Sequence, residues 1–252
     1  MFCLQNQKKK KQIRYLKSNQ EDANEFIANF LDGLLEETSS FNGIFQNRFD
    51  EMNREAYMNF FNKFYRKKGN SYILDLFFGE LRTTKTCKHC REKSVKFDAY
   101  NMLELSVYEI AKHRDDGDIL LEEIFYNFFS EIKSGARCIK CGNEMITKNE
   151  IFKLPKYLIV FFGRTVNDDY VSNNIIYKKY FELSQYMCNK CIPTQFELQS
   201  IIEHDGGAHY GHYTSLCYIK IKGCWYYFSD TDDPLYSDYQ GSNAIFLLYK
   251  SL

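Results

Sequence analysis

Residues 206–218 have the sequence GGAHYGHYTSLCY, and residues 225–230 continue with WYYFSD. Side chains alternate well enough after His212 to predict a β-strand that ends near residue 221, and the aromatic run that follows predicts a second strand. Lys222-Gly223 between them is typical of a tight turn. In an antiparallel pair folded about this turn, the position opposite His212 falls near residue 230.

His212 and the polar pair Ser229 and Asp230 therefore form a candidate catalytic site. An acceptor that bonds one ring nitrogen of a histidine fixes the tautomer, so the other nitrogen can take a proton from a nucleophile. Gly211 permits close approach of the backbone just before the histidine. The spacing alone leaves a second interpretation open, which is a lone histidine at the end of a strand without a catalytic role.

Two Cys-x-x-Cys motifs provide a second candidate site, for a metal. Cys87 and Cys90 form the first, and Cys138 and Cys141 form the second after 47 intervening residues. Four thiolates in two such pairs favour tetrahedral zinc, which would tie together the tips of two hairpins. The alternative is a set of reduced thiols without metal, and His89 inside the first motif is an outside candidate ligand.

Four stretches of the chain resemble, in the same order, motifs of the ubiquitin-specific proteases, which are papain-like cysteine proteases that remove ubiquitin. The stretches are QEDANEFI at 20–27, the two cysteine motifs, LPKYLI at 154–159 with Arg164, and a histidine box that runs from Gly211-His212-Tyr213 through Trp225-x-x-Phe228 to AIFLLY at 244–249. The resemblance implies an α+β papain-like fold with a fingers and palm β-sheet, a zinc ribbon and a truncated helical thumb. It also implies thiol-dependent hydrolysis of isopeptide bonds at the C-terminus of ubiquitin, with ubiquitin or ubiquitinated proteins as partners.

The resemblance divides the chain into parts. We expect a frayed basic tail at residues 1–17 and a protease-like domain at 18–252. Within that domain we expect the remnant of the thumb at 18–66, the fingers with the zinc ribbon at 72–153, and the palm with the histidine box at 154–252.

Periodicity predicts the individual helices and strands. Ser18-x-x-Glu21 can form a capping box ahead of an amphipathic helix whose apolar residues extend from 26 to 35. The other predicted elements are a helix within 51–70, strands at 73–82, 97–107 and 154–162, a short helix at 119–129 and a polar loop at 167–174.

Composition limits the class of partner. The 252 residues include 33 basic and 33 acidic side chains, and 44% of the residues are hydrophobic. A balanced charge does not indicate binding to nucleic acid or to a membrane surface. A zinc-ribbon protein that binds nucleic acid is therefore the weaker third hypothesis. The longest apolar run, at 157–162, is too short to cross a bilayer. Nine cysteines, six of them in Cys-x-x-Cys pairs, favour a reducing intracellular location, in the cytoplasm or nucleus.

The chain lacks one part that the resemblance implies. A cysteine protease needs a nucleophilic thiolate and an oxyanion donor, and the family carries both in an Asn- and Cys-containing box upstream of the first helix. Cys3 lacks that lettering, so we expect no nucleophile in this chain. Ser229 also occupies the position at which the family usually has an Asp or Asn that orients the histidine, with Asp230 next to it. We therefore expect an inactive fragment of a protease, or alternatively a catalytically dead module that binds ubiquitin.

The last pair of cysteines stays apart from these assignments. Cys188 and Cys191 have no second pair to complete a metal site. Ordinary reduced cysteines are the favoured interpretation, and a second metal site is the alternative.

Overall fold

The computed structural model describes residues 22–39, 53–114, 117–189, 194–207, 210–230, 232–237 and 243–252. The helices of this part of the chain are α1 (Ala23–Thr38), α2 (Arg54–Lys68), α3 (Tyr72–Phe77), α4 (Tyr108–Ala111) and α5 (Leu121–Phe129), with a 3-10 turn at Ser184–Tyr186. Its strands are β1 (Gly79–Cys87), β2 (Lys93–Tyr100), β3 (Leu103–Ser106), β4 (Ile119–Leu120), β5 (Ile132–Arg137), β6 (Glu144–Lys153), β7 (Tyr157–Gly163), β8 (Thr165–Val166), β9 (Asp169–Tyr170), β10 (Ile175–Ile176), β11 (Tyr180–Glu182), β12 (Gln195–Gly206), β13 (Gly211–Ile219), β14 (Cys224–Phe228), β15 (Leu235–Ser237) and β16 (Ala244–Ser251).

The larger sheet has eight strands in the order β15-β14-β13-β12-β16-β7-β3, with β11 paired to β12. Its pairs are antiparallel except for β3 and β7. Strand β7 is apolar along its whole length because both of its faces are covered. Leu158, Val160 and Phe162 face the main core together with helix α5, whereas Ile159 packs beside Leu31 of α1. The sheet therefore lies between two helical layers.

Helix α1 confirms the first predicted helix. Asp22 is its N-cap, because the carboxylate accepts hydrogen bonds from the backbone N–H groups of Asn24 and Glu25. Leu31 and Leu35 are buried against the rest of the protein. The predicted capping box at residues 18 and 21 lies outside the described residues.

The smaller sheet has four antiparallel strands in the order β2-β1-β6-β5. Helix α2 packs on it through an aromatic cluster, in which the ring of Tyr57 meets the rings of Phe97 and Phe152 at 5.1 and 5.2 Å. The strand predicted at 97–107 is divided between the two sheets. It breaks after Tyr100, and residues 103–106, which the sequence assigns to the fingers, pair with β7 in the larger sheet.

The strand predicted at 73–82 is wrong in its first half. Residues 72–77 form helix α3, and the strand begins only at Gly79. Ser71 is the reason, since its hydroxyl accepts the backbone N–H of Ile73 at 3.1 Å and caps the helix. Ile73 and Leu74 are both buried, which a strand with one covered face would not allow.

The polar loop predicted at 167–174 begins with the turn and the second strand of a small hairpin, formed by β8 and β9. Asn167 and Asp168 connect the two strands with φ angles of 50° and 68°. Both lie in the left-handed region that a type I′ turn requires, and Asn and Asp tolerate it better than most residues. The hairpin places Tyr170 near the candidate catalytic site.

Within the described residues, no helix is long and apolar enough to span a membrane.

Candidate active site and metal centre

The structure brings His212 together with both members of the polar pair. His212 lies at the start of β13, and its Nε2 is 2.9 Å from the hydroxyl oxygen of Ser229. Its Nδ1 is 3.7 Å from a carboxylate oxygen of Asp230. The imidazole is about half exposed and the Asp230 carboxylate is 77% exposed, so water screens this charge. Ser229 therefore makes the closer and better defined contact with the ring.

A tight turn after β14 positions the pair. The register of β13 and β14 places Ser215 opposite Phe228, so the chain leaves the ladder just before Ser229. The backbone N–H of Asp232 then donates to the carbonyl of Ser229 at 2.9 Å. Asp230 adopts a φ of 40°, a left-handed conformation that Asp accepts more readily than most residues. The turn aims both side chains back across the ribbon towards His212.

A second histidine, His204, supports the backbone next to His212. It pairs with Tyr213 across β12 and β13, and their rings lie 4.6 Å apart. A Cβ on Gly211 would come within 2.2 Å of the His204 Nε2, so only glycine fits at position 211. Burial lowers the pKa of His204 despite the nearby carboxylates of Asp205 and Asp22.

The N-terminus of helix α1 reaches this site. Burial raises the pKa of Tyr213, and the negative charge of Asp22 raises it further. The Tyr213 hydroxyl also interacts with the backbone N–H of Ala23, which lowers the pKa. Two sequence motifs that lie about 190 residues apart, the one at 20–27 and the histidine box, are thus in contact. Residues beside His212 on β13 therefore meet the positive end of a helix dipole.

Arg164 holds the far side of the same region. The residue is 3% exposed, and its guanidinium donates to four acceptor contacts among the described residues, all of them backbone carbonyls: Ala244 at 2.9 and 3.2 Å, Val171 at 2.9 Å and Asn173 at 2.8 Å. These bonds fix the start of β16 and the end of the β8–β9 hairpin. Tyr170 of that hairpin packs edge-on against His204. Arg164 thus stabilises the backbone around His204 and the candidate catalytic site.

The four cysteines form one cluster at the tip of the four-stranded sheet. The sulfur atoms of Cys87, Cys90, Cys138 and Cys141 all lie within 4.8 Å of one another. The sulfur atoms of Cys87 and Cys141 are 3.4 Å apart, and those of Cys90 and Cys138 are 3.5 Å apart. Tetrahedral zinc with bonds of about 2.3 Å requires sulfur separations of about 3.8 Å. The cluster therefore fits zinc.

The two knuckles share one backbone conformation. The N–H of Arg91 donates to the carbonyl of Cys87, and the N–H of Gly142 donates to that of Cys138. Both donors directly follow the second cysteine of their motif and have left-handed φ angles of 62° and 73°. Asn143 also donates to the sulfur of Cys141, and this contact is the main reason that the pKa of Cys141 is lowered to about 5. By contrast, desolvation and the neighbouring thiols raise the pKa of Cys90, so the surrounding protein favours the metal-binding thiolate at Cys141 but not at Cys90.

The sequence predicts the charged and thiol groups of both sites but not the residues that support them. Arg164 follows one of the family-like motifs without an assigned role, and neither His204 nor Tyr170 is predicted to join the site. His89 is exposed and lies outside the cysteine cluster. Cys3 and Cys191 lie outside the described residues.

The sequence of this chain is similar to those of known proteins. A family model described as "Ubiquitin carboxyl-terminal hydrolase" matches residues 2–249. The Drosophila melanogaster protein "Ubiquitin carboxyl-terminal hydrolase Usp2" is 27% identical over 245 residues, which are 93% of this chain and 26% of that protein. "Ubiquitin carboxyl-terminal hydrolase 2" of Gallus gallus is 25% identical over 259 residues, which cover 95% of this chain and 70% of that protein.

Solved structures share the fold. A Ubp8-Sgf11-Sgf73-Sus1 SAGA DUB module covers 94% of this chain with a TM-score of 0.67 and 21% identity, and the match spans 50% of the solved chain. A related module bound to monoubiquitin covers 79% of this chain with a TM-score of 0.62 and 21% identity, over 46% of the solved chain. The chain therefore spans about half the length of the solved chains that it matches.

Proposed function

This chain belongs to the ubiquitin carboxyl-terminal hydrolase family, and on that premise we propose that it binds ubiquitin and carries the histidine half of a cysteine-protease site without the nucleophile. The observation that carries the proposal is the contact between His212 and Ser229 beside the N-terminus of α1. Two motifs distant in sequence converge there, as a catalytic site requires. The proposed reaction class is thiol-dependent hydrolysis of the isopeptide bond at the ubiquitin C-terminus.

The proposed role of His212 is general base and then general acid. When Nε2–H donates to the Ser229 hydroxyl, the lone pair on Nδ1 is free to take the proton of a thiol. That thiolate attacks the isopeptide carbonyl, and the imidazolium returns its proton to the departing lysine amine, which leaves a thioester. Water then hydrolyses the thioester, and the same nitrogen takes the proton of the water.

Ser229 and Asp230 divide the orienting task in this proposal. The serine hydroxyl fixes the ring but is neutral, so it stabilises imidazolium less than a carboxylate would at this position. The Asp230 carboxylate supplies the charge from 3.7 Å and largely through water. We infer that both residues serve His212, with Ser229 setting its tautomer.

The proposed cofactor is one structural zinc ion held by Cys87, Cys90, Cys138 and Cys141. Zinc bound there would cross-link the β1–β2 turn to the β5–β6 turn and stabilise a sheet tip that has little core of its own. The cluster lies on a different sheet from His212, so the metal takes no part in the reaction. Thiols that stay reduced also fit a cytoplasmic or nuclear location.

A second candidate function is ubiquitin binding without catalysis. Ser229 is neutral, and the Asp230 side chain is 77% exposed. Both features favour this second candidate because they weaken the electrostatic stabilisation of the His212 imidazolium. The protein-coding sequence upstream distinguishes the two. An in-frame Asn-x-Gly-Asn-Thr-Cys stretch supports the enzyme, and a stop codon directly upstream supports the binding module.

Ubiquitin binding tests both candidates against the nucleic-acid hypothesis. We expect the zinc-loaded protein to change the anisotropy of fluorescently labelled ubiquitin in a saturable way, and to leave labelled DNA and RNA unchanged at low salt. Salt-sensitive binding of nucleic acid without binding of ubiquitin would contradict the proposal.

A further inference from the structure

A groove lies between helix α2 and strand β2. Strand β2 is one edge of the four-stranded sheet, and β5 is the other edge. Its volume is about 670 Å³. Its residues are Glu55, Ala56, Asn59, Phe60, Lys63 and Phe64 of the helix and residues 95–99 of the strand. Nothing in the proposed hydrolase reaction uses this α2–β2 groove.

The helix contributes two parallel rows of side chains. Ala56, Phe60 and Phe64 are spaced by four residues and half-buried, and the rings of Phe60 and Phe64 are stacked at 5.8 Å. Glu55 and Lys63, two turns apart, belong to a second row that is exposed. The groove thus has an apolar floor and a polar rim.

The strand contributes a free backbone edge. β2 is the terminal strand of its sheet, and no described strand pairs with its outer side. Alternate residues of such a strand direct N–H and C=O groups away from the sheet. An extended peptide can satisfy these groups by adding a fifth strand, while its alternate side chains enter the neighbouring pocket.

The charges at the two ends of the groove differ in sign. Phe64 packs against Phe78, and Tyr65 bonds Glu80, which pairs with Ala99 in the ladder. Helix and strand therefore run in the same direction, with Glu55 at the beginning of β2 and Lys63 at its end. Lys96 and Asp98 pair with each other at 2.7 Å, whereas Glu55 and Lys63 pair with no described residue.

We propose that the α2–β2 groove binds an extended protein segment that adds antiparallel to β2 and has an acidic residue, an apolar residue and a basic residue at its first, third and fifth positions. The antiparallel direction places the acidic residue at Lys63 and the basic residue at Glu55. The apolar residue packs against the half-buried, stacked rings of Phe60 and Phe64.

The dimensions support this occupant. Eight helical residues separate Glu55 from Lys63, which is a rise of about 12 Å. Four steps of an extended chain cover about 13 to 14 Å. First, third and fifth side chains of a strand share one face, so the three groups reach the groove together. The backbone edge supplies affinity, and the two end charges supply direction.

The test compares two fluorescein-labelled peptides, Gly-Ser-Glu-Thr-Ile-Thr-Lys-Ser-Gly and the same peptide with Glu and Lys exchanged. We expect the acid-first peptide to bind about tenfold more tightly, since each exposed ion pair contributes about threefold. Amide resonances of residues 93–100 should shift on binding. Alternate peptide nitrogens form two sets, of which one faces β2 and the other faces away from it. N-methylation of one set should therefore abolish binding, and N-methylation of the other set should spare it.

The double variant E55K/K63E is the matched control. Both side chains are exposed, so the fold should be kept, and circular dichroism verifies this. We expect the variant to reverse the preference between the two peptides. The proposal is overturned if neither peptide binds at millimolar concentration, if the reversal leaves the preference unchanged, or if N-methylation has no effect in either register. Ubiquitin binding serves as an independent readout, and the two groove substitutions should leave it unchanged.

Discussion

Gly211 lies directly before His212, and the ring of His204 occupies the space that a side chain at position 211 would need. The contact involves the main strands β12 and β13, so the neighbouring backbone has little room to give way. Position 211 therefore controls where His212 lies, although glycine has no side-chain chemistry of its own.

The substitution Gly211→Ala tests this packing. We expect a loss of about 1 to 3 kcal/mol in the free energy of unfolding, because the new methyl group meets a buried ring. Urea denaturation measures the loss. Gly33→Ala is the matched control, since a Cβ there meets nothing within 4 Å in the interior of α1, and it should stabilise the protein by about 0.5 to 1 kcal/mol. Equal effects at both positions would contradict the account.

The substitution Ser229→Ala tests the orientation of His212. The hydroxyl is 2.9 Å from Nε2, and a typical hydrogen bond contributes about 0.5 to 1.5 kcal/mol. Its loss should reduce the preference for the Nε2–H tautomer about fivefold. Correlation of imidazole nitrogens with ring protons by NMR measures the tautomer ratio. A ratio that matches that of the unaltered protein would show that Ser229 does not orient the ring.

At the scale of elements, the two cysteine knuckles are the part that the sequence predicted best. A Cys-x-x-Cys motif constrains its own backbone, so the pattern alone indicates both the turn and the ligands. The strand ladder then only has to bring the two turns together, and the pairing of Cys87 with Met145 does so.

The substitution Cys141→Ser tests the proposed zinc site. We expect zinc affinity to fall by more than the roughly 10- to 100-fold that loss of an outer-shell contact costs, because a direct ligand is lost. Amide exchange in β1 and β6 should become faster, since the cross-link at their tip is gone. Zinc release with a chromogenic chelator measures the first effect. Cys224→Ser, which lies outside the cluster, is the control and should keep a full complement of zinc.

Other elements were harder to predict because their limits depend on tertiary contacts. Residues 73–78 are apolar except for Asp75 and suit a strand as well as a helix, and the cap at Ser71 decides between the two. The break after Tyr100 sends one predicted strand into two sheets. Likewise, His204 and Tyr170 join the site only through the pairing of β12 with β13 and through the β8–β9 hairpin. Local patterns carry no information about such distant contacts.

At the scale of the whole molecule, the burial of His204 links stability to pH. Its pKa is lowered in the folded protein, so the unfolded chain binds a proton more readily. The stabilisation is fully present above the ordinary value of about 6.5 and is lost as the pH falls below it. The slope from this one group is at most about 1.4 kcal/mol per pH unit.

Stability against urea between about pH 7.5 and 5.5 measures this link. We expect the unaltered protein to lose stability on acidification, and His204→Phe, which keeps an aromatic ring without a titrating group, to lose less. A steeper loss in the variant would contradict the assigned sign. Because both proteins keep the same cysteine cluster, protonation of the metal ligands cancels in the comparison.

Turnover of a ubiquitin–fluorophore substrate tests the proposal that this chain carries a general base without a nucleophile. The zinc-loaded protein of 252 residues is used under conditions in which binding of ubiquitin is saturated. We predict no release of fluorophore above buffer, because the proposed site consists of His212 and its orienting partners and includes no nucleophilic thiol. Release that disappears in His212→Ala would contradict the proposal, and would show that one of the nine cysteines serves as the nucleophile.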